Sequence, residues 1–397
     1  MTRRVLLHVG TPKTGTSYFQ DVLFSNRPLL AAHGVHYFAD RFDAHFLAAL
    51  DLMRLPWGGL EIEAVGAWDA LAERVRGVPD GTVVISHEIF ARATRQQAQR
   101  ALADLGDSEV HVLVSARDLA RQVPAEWQEN IKHRSTFSYA QFLRIIQSPE
   151  RRHRVGSWFW GVQELPDILD RWAGGLPPEQ VHVVTVPPRG SEPTLLWKRF
   201  VQAFGLEGID LDLSHASRAN PSLGVPETAL VRRINKAVNE TVPPADYRPL
   251  VRELLAHGTL SRRRGTPRLG LPPDVAPWVE DLSRRWVGEL DARGYAVVGD
   301  LGELIGRPPT EYVDPDRPRP RQVAGAAVDA IHTLLLEAAR LQHDNERLRG
   351  ELDETRRELD RAYLRVSYKI RRRFVLLMER TPPGRLLMRA YRWVFRR

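Results

Sequence analysis

A short loop near the start of the chain carries the residues best suited to hold an anion. It is formed by Gly10-Thr11-Pro12-Lys13-Thr14-Gly15-Thr16-Ser17-Tyr18 and follows an apolar run at residues 5–9. The pattern predicts a strand that enters a helix through a glycine-containing turn, where free backbone N–H groups and the positive end of the helix dipole face an anion. Lys13 adds a mobile positive charge, and Thr16 and Ser17 add hydroxyl donors. The alternative is an ordinary strand–helix turn that uses Ser or Thr as a helix cap.

The spacing separates this loop from the one that binds ATP and GTP. That loop requires Gly-x-x-x-x-Gly-Lys-[Ser/Thr], with Lys directly after the second Gly. Here Thr16 occupies that place, and Lys13 precedes Gly15. Segment 11–18 instead resembles the 5′-phosphosulfate-binding loop of sulfotransferases that use 3′-phosphoadenosine 5′-phosphosulfate (PAPS), whose form is Pro-Lys-[Ser/Thr]-Gly-Thr-[Thr/Ser]-[Trp/Tyr].

The resemblance implies roles for the residues of the loop. Lys13 would neutralise the charge that develops on the leaving 5′-phosphate oxygen. The backbone of residues 14–17, which includes Thr14 and Gly15, would hold the phosphate together with the hydroxyls of Thr16 and Ser17. Tyr18 stands at the family's aromatic position and would stack on adenine.

An arginine at the end of a second apolar run supports the same resemblance. The segment Val112-Leu113-Val114-Ser115-Ala116-Arg117-Asp118 is similar to the family's 3′-phosphate site, in which an Arg at a strand end grips the phosphate through its planar fork of donors. The family usually has a Ser eight residues later, where this chain has Ala125, so one hydroxyl donor is missing. The alternative for Arg117 is a surface ion pair.

The third supporting segment supplies a base. Val84-Ile85-Ser86-His87-Glu88 predicts a strand end with an imidazole and a carboxylate. Sulfuryl transfer needs a group that takes the acceptor proton, and His titrates near neutrality. His87 matches the catalytic His of cytosolic sulfotransferases, while Glu88 matches the glutamate that glycan-modifying branches use. Both remain candidates, and a capping or solvent-facing role for His87 is the structural alternative.

A weaker similarity concerns Ser261-Arg262-Arg263-Arg264-Gly265, which resembles the Arg-Lys-Gly element of the family's 3′-phosphate site. It implies that Arg264 and Gly265 complete that site, although three consecutive arginines also suit a solvated loop. We expect no metal: His87-Glu88 lacks the second His of the His-Glu-x-x-His zinc pattern, and the family needs none.

The elements that must position these residues alternate along the first 300 residues. Apolar runs at 5–9, 83–86, 110–115 and 181–186 predict strands. Amphipathic stretches predict helices at 16–32, 91–105, 119–133, 194–204, 226–238 and 275–293. This alternation predicts an α/β domain over residues 1–306 with a central parallel sheet flanked by helices. The resemblance to sulfotransferases implies that this sheet is P-loop-like.

Composition excludes several classes of protein. The 397 residues are 43% hydrophobic and 27% charged, which is typical of a globular chain. The absence of Cys removes disulfides, Cys-ligated zinc, iron–sulfur clusters and a thiol nucleophile, and it is compatible with the cytoplasm. No run is long enough for a signal peptide or a spanning helix, so we expect a cytoplasmic protein.

The net charge of +8 belongs to the C-terminal tail. Residues 361–397 hold 12 of the 57 Lys and Arg but one of the 49 Asp and Glu, which leaves 45 basic and 48 acidic residues before them. The body is therefore not expected to bind nucleic acid.

The last 90 residues predict an extended linker, a coiled coil and a tail. Residues 307–322 are rich in Pro and charge, which favours a linker. Residues 323–367 follow a heptad with Asn345 at an a position, and Asp344–Arg349 and Glu351–Arg356 have the spacing of interhelical ion pairs in a parallel homodimer. The alternative is a lone amphipathic helix that packs on the body.

Residues 368–397 predict a basic amphipathic tail. One helical face carries Arg385, Arg389, Arg392 and Arg396, beside Trp, Phe, Tyr and Leu side chains. This pattern is typical of a helix that lies at an anionic membrane surface, which here would be the inner face of the membrane. A nucleic-acid-binding or solvated tail is the alternative.

The resemblance therefore implies a PAPS-dependent sulfotransferase that acts on a hydroxyl or amine acceptor, with PAP as product. The acceptor would be a small molecule, a glycan or a lipid, and the tail favours an envelope glycan or lipid. Two other functions stay open. One is a P-loop nucleotide-dependent phosphotransferase, and the other is a non-catalytic, membrane-tethered dimeric scaffold.

Overall fold

A computed structural model of the chain describes residues 3–214, 222–307, 311–364, 366–380 and 383. The chain forms two compact units, Met1–Ala330 and Ile331–Arg397. Every predicted site residue belongs to the first unit.

The first unit is built on a parallel sheet of six strands in the order β2-β3-β1-β4-β5-β6. The strands are β1 (Arg4–His8), β2 (Val35–His36), β3 (Thr82–Ser86), β4 (Glu109–Ala116), β5 (Val181–Thr185) and β6 (Ala296–Val298). Helices flank the sheet, so the predicted α/β class with a parallel sheet is confirmed.

Helices make up most of the rest of the described chain. Those before β5 are α1 (Thr16–Ser25), α2 (Arg27–Ala32), α3 (Ala44–Met53), α4 (Leu60–Glu63), α5 (Ala67–Arg76), α6 (Arg95–Asp104), α7 (Leu119–Lys132), α8 (Tyr139–Gln147), α9 (Arg154–Gln163) and α10 (Leu165–Trp172). Those after β5 are α11 (Leu195–Ala203), α12 (Val225–Val238), α13 (Pro244–Tyr247), α14 (Ala276–Ala292), α15 (Pro320–Leu364) and α16 (Val366–Glu379). A 3-10 turn covers Glu88–Arg92, and a π-helix covers Arg248–Thr259.

Alternate residues of the central strand enter two different cores. Val5 and Leu7 of β1 pack in the larger core with α5 to α10, whereas Leu6 packs in a smaller core with Phe19 and Phe200. This alternation follows from the period of two of a β-strand. Both faces of the sheet are therefore covered, as expected of a parallel sheet.

Several predicted elements differ in extent from those of the structure. The predicted helix at 16–32 breaks at Asn26, whose side chain donates to the carbonyls of Val22 and Asp212. Pro28 then stands in the first turn of α2, where the missing N–H costs nothing. The predicted helix at 91–105 begins later, because Thr94 and Gln97 form a capping box at the start of α6. The short edge strands β2 and β6 were not predicted.

Residues of the predicted linker lie on the first unit. The Asp316 carboxylate accepts the backbone N–H groups of Tyr139 and Ala140, each at 3.0 Å, and pairs with Arg232 at 3.2 Å. An acid at the start of α8 also complements the helix dipole. Val323 and Ala326, in the first turns of α15, are buried.

The second unit begins within α15. The a and d side chains of the predicted heptad are exposed there, with Leu348 55% and Leu352 50% accessible. Arg347 pairs within the helix with Asp344 and Glu351. Among the described residues, no helix is long and apolar enough to cross a membrane. Arg385, Arg389, Arg392 and Arg396 of the predicted tail lie outside the described residues.

Candidate active site

Three of the predicted site segments meet at one edge of the sheet. The anion-binding loop follows β1, His87 and Glu88 follow β3, and Arg117 follows β4. Because β1 pairs in parallel with both β3 and β4, the carboxyl ends of these strands lie side by side. In open α/β sheets this edge is where ligands bind.

The turn between β1 and α1 has a backbone that glycine makes possible. Gly15 is the N-cap of α1 with φ of 89°, and a Cβ there would lie 2.8 Å from Leu196 Cδ2. Lys13 also has a positive φ, of 66°. Positive φ values of this kind are typical of the backbone turns that form anion nests, and α1 begins directly after this one.

The hydroxyls of the turn have different surroundings. Thr14 is fully buried, and its Oγ1 donates to the Thr11 carbonyl at 2.6 Å. Thr16 is buried and its hydroxyl stabilises the carboxylate of Glu88. Ser17 is exposed. The Thr14 hydroxyl therefore holds the shape of the turn, and Ser17 is the hydroxyl that faces solvent.

Lys13 points to a carboxylate on α7. Its Nζ lies 2.5 Å from Glu129 Oε2. The same carboxylate lies 3.2 Å from His133 Nε2, 3.4 Å from Arg252 and 3.9 Å from Lys132. Burial acts to raise the pKa of Glu129, but Lys13 and its other cationic neighbours outweigh burial and hold that pKa well below its usual range.

A second carboxyl group lies one helical turn earlier and behaves in the opposite way. Glu126 is buried, and burial raises its pKa to about 7, although Lys13 acts in the other direction. Its Oε1 accepts from Gln163, which in turn accepts from Gln122, and Gln122 donates to the Pro12 carbonyl at 2.6 Å. A buried polar chain therefore joins Glu126 to the loop.

His87 and Glu88 occupy the opposite flank of the loop. His87 Nδ1 accepts the backbone N–H of Ile89 at 3.2 Å, so the proton of the neutral ring lies on Nε2. The Glu88 carboxylate accepts from Gln20 at 3.2 Å and lies 4.0 Å from His87 Nε2. Burial lowers the pKa of His87. Burial acts to raise the pKa of Glu88, but the neighbouring His87 and the donors Gln20 and Thr16 lower it.

Arg117 belongs to a group of arginines at the ends of β4 and β5. Burial, and then Arg121, lower the pKa of Arg117 to about 10, so its guanidinium stays charged at neutral pH. One terminal nitrogen donates to the Arg121 carbonyl, and within the described structure its buried Nε has no hydrogen-bond partner. Burial and then the nearby Arg268 and Arg121 lower the pKa of Arg189. Asp118 pairs with Arg121, so the positive charge that favours an anion here comes from Arg117, Arg189 and Arg268.

The remaining predicted residues lie as follows. Tyr18 is half-buried, with its ring edge-on to Trp197 at 6.0 Å. Arg264 and Gly265 are exposed, and the neighbouring Arg263 pairs with the buried Glu227. Arg268 is exposed, and its charge helps to lower the pKa of Arg189, so it belongs to the arginine group near β5.

A half-buried aromatic platform, Phe46, Trp57 and Trp158, joins the two flanks. The ring of Phe46 lies 5.0 Å from His87 and 5.6 Å from Trp57. Trp57 also lies 5.7 Å from Trp158 and 5.9 Å from His133, which contacts Glu129.

Comparison of the chain with known protein families, with curated proteins and with solved structures finds no match. The assignment of a function therefore depends on the geometry of this edge.

Sequence reasoning missed several residues that build this edge of the sheet. Glu126, Glu129, Arg189 and Arg268 were not predicted, because their partners in the site stand far away along the chain. One signal was present: Glu126 and Glu129 are spaced to lie on the same face of α7, the helix that follows Arg117.

Proposed function

We propose that this protein transfers the sulfuryl group of PAPS to a hydroxyl or amine acceptor. The observation that carries the proposal is the convergence of three chemically distinct groups on one edge of a parallel sheet. These are a cationic anion-binding turn with Lys13, a carboxylate–imidazole pair at Glu88 and His87, and an arginine group at Arg117. This reaction requires a site for the 5′-phosphosulfate, a base, and a second anion site for the 3′-phosphate.

The residues fit the phosphosulfate end of PAPS. The turn offers backbone N–H groups at the start of α1, where the positive φ of Gly15 and its close approach to Leu196 exclude a side chain. Lys13 supplies the charge that stabilises the leaving 5′-phosphate oxygen. The acceptor oxygen attacks sulfur, the bond from sulfur to the 5′-phosphate oxygen breaks with its electron pair on PAP, and the acceptor proton passes to a base.

Glu88 is the base that the hydrogen bonds favour. Because His87 Nδ1 accepts a backbone N–H, the neutral ring holds its proton on Nε2 and has no free lone pair there. The pKa of Glu88 is lowered, so this group is ionised and ready to accept a proton at neutral pH. His87 Nε2–H would then donate to the Glu88 carboxylate or to the acceptor oxygen, and would orient the group that accepts this hydrogen bond.

The 3′-phosphate of PAPS would bind at the arginine group. Arg117 has a buried nitrogen with no partner in the described structure, and Arg189 and Arg268 add positive charge beside Arg121. In this proposal, the guanidinium group of Arg189 or Arg268 takes the role of the hydroxyl that the family has at the position of Ala125. This arrangement favours Arg268, rather than Arg264, as the residue that completes the 3′-phosphate site.

Thermal unfolding with PAP, AMP and ATP–Mg²⁺ tests the proposal. PAP should raise the melting temperature well beyond AMP, because AMP lacks the 3′-phosphate, and Arg117→Ala should erase most of the difference. A charge-assisted contact of this kind contributes about 1.5–3 kcal/mol. Equal shifts with PAP and AMP, or a shift with ATP–Mg²⁺ alone, would favour the phosphotransferase instead.

We propose further that the second unit forms a parallel homodimer. The exposed apolar side chains of α15 repeat every heptad, and Asn345 would pair in register with its copy. Removal of residues 331–397 should convert a dimer to a monomer in sedimentation, and Leu348→Glu with Leu352→Glu should do the same in the full chain. A dimer that survives both changes contradicts this arrangement.

The basic tail would hold this dimer at an anionic membrane surface on the cytoplasmic side. Each Lys or Arg near such a surface contributes about 1 kcal/mol, and salt weakens the effect. The full chain should sediment with vesicles that contain phosphatidylglycerol at low salt, and the chain without residues 368–397 should stay in the supernatant. Equal sedimentation of both would exclude the tail as the anchor.

A further inference from the structure

A buried histidine lies in the centre of the sheet and takes no part in the proposed chemistry. His8 is the last residue of β1, between β3 and β4, and it is 1% exposed. Its ring is enclosed by the edges and faces of Phe19, Phe200 and Phe204. An apolar residue would suit these surroundings better, because a polar group here needs hydrogen bonds to offset its lost hydration.

Both ring nitrogens of His8 are hydrogen-bonded across the sheet. Nδ1 lies 2.8 Å from Ser86 Oγ on β3, and Nε2 lies 3.0 Å from Ser115 Oγ on β4. Both serines are fully buried. Burial lowers the pKa of His8 to about 4, so the ring is neutral and uses one nitrogen as donor and the other as acceptor.

The Ser115 side of His8 leads to the anion-binding turn. Ser115 Oγ lies 2.6 Å from Thr14 Oγ1 and 3.0 Å from the Gly10 carbonyl oxygen, which accepts the Ser115 backbone N–H. Thr14 Oγ1 donates in turn to the Thr11 carbonyl. The hydroxyl of Ser115 therefore holds both ends of the turn that carries Lys13.

The Ser86 side of His8 leads to the candidate base. Gln20 Nε2 lies 3.4 Å from Ser86 Oγ, 3.3 Å from the Ser86 carbonyl and 3.2 Å from Glu88 Oε2. Gln20 is buried on α1. A continuous set of hydrogen bonds thus runs from Glu88 through Gln20, Ser86, His8 and Ser115 to Thr14.

We infer that His8 is a positioning residue that couples the anion-binding turn to Glu88 through this set of hydrogen bonds. One order of protons satisfies the set: the Ser86 hydroxyl donates to Nδ1, Nε2–H donates to Ser115, the Ser115 hydroxyl donates to Thr14 Oγ1, and the Thr14 hydroxyl donates to the Thr11 carbonyl. A displacement of the turn by a bound anion is then transmitted across the sheet to the carboxylate. The role of Glu88 as a base and the identity of the anion as a phosphate rest on the proposed function. The coupling through hydrogen bonds does not.

Nitrogen-15 NMR of the imidazole tests the coupling without a ligand. The ring of His8 should remain a single neutral tautomer at pH 7, with its proton on Nε2. Thr14→Val and Gln20→Leu, at opposite ends of the set, should each shift its two nitrogen resonances, while Gln147→Leu on the exposed end of α8 should not. Resonances that respond to neither change, or the opposite tautomer, would overturn the inference.

PAP affinity measured by calorimetry gives the functional test. Gln20→Leu should weaken PAP binding about threefold in the wild-type background, and it should have almost no effect once His8→Phe has removed the connection, because coupled sites are not additive. His8→Gln, which keeps a donor and an acceptor, should restore the effect. Equal effects in all backgrounds would show that His8 is merely structural.

Ser115→Ala cuts the same connection and serves if His8→Phe does not fold. Wild-type protein that does not bind PAP would contradict the proposed function, while the NMR outcome would still decide the role of His8.

Discussion

The two flanks of the anion-binding turn fix it by different physical means. On the β3 flank, neutral side chains form the hydrogen bonds: Ser86 binds His8 and Gln20, and Gln20 donates to the Glu88 carboxylate. On the α7 flank, Lys13 is held by the Glu129 carboxylate among several other cations. Neutral hydrogen bonds are directional and insensitive to salt, whereas ion pairs can be exchanged for a ligand of the same charge. From this difference we expect the β3 flank to fix the geometry of the site and the α7 flank to respond when an anion binds.

The largest expected effect concerns the charge of Lys13. Lys13→Ala should lower the turnover number with PAPS about 1,000-fold, because in the proposed reaction the ammonium stabilises charge that develops in the transition state. PAP affinity should fall far less, since the backbone donors remain. Single-turnover rates and calorimetry measure the two quantities. An equal loss in both would make Lys13 a simple binding residue.

The next effect separates the two candidates for the base. Glu88→Gln should reduce turnover about 100-fold or more and abolish the acidic limb of the pH–rate profile, because the amide cannot accept a proton. His87→Gln should reduce turnover less and keep that limb. If His87→Gln is the inactive variant and Glu88→Gln keeps the limb, the assignment of the base is reversed.

The pKa of Glu126 predicts a pH-dependent stability on the α7 flank. Its folded pKa of about 7 lies above the ordinary value of 4.5, so the folded state keeps a proton that the unfolded chain loses. Stability is therefore lost as the pH rises, by about 2 kcal/mol between pH 5 and pH 7.5. In urea denaturation at both pH values, Glu126→Gln should not show this loss of stability. A change in the free energy of unfolding with pH that equals the change in the wild type would contradict the prediction.

The smallest effect concerns the competition for Lys13. Glu129→Gln should tighten PAP binding about fivefold, because the carboxylate no longer attracts the ammonium away from the phosphate. Glu253→Gln is the matched control, since it removes the same charge from the neighbouring π-helix, where the carboxylate lies near Arg248. Weaker binding by Glu129→Gln would show that Glu129 presents Lys13 to the ligand instead.

The sequence predicted the residues at the strand ends better than the partners that hold them. The four long strands and the site residues at their ends follow from local patterns, because a β-branched run and the residue after it are adjacent in sequence. Glu129 pairs with a lysine 116 residues away, and His8 connects strands that are 78 and 107 residues from it. The order of the strands in the sheet decides which distant residues meet, and hydrophobic periodicity gives no information about that order. His8 itself occupies a strand position where apolar residues are expected, so no local signal marks it.

Hydrogen–deuterium exchange with PAP and with AMP tests the central claim most directly, namely that the edge formed by β1, β3 and β4 holds both phosphates. Both nucleotides should slow exchange in residues 10–18, where we propose that the 5′-phosphate binds, and PAP should in addition slow exchange in residues 117–121. Segment 331–364 should be unaffected by either. Protection confined to other parts of the chain, or the same protection by AMP and PAP around Arg117, would contradict the account.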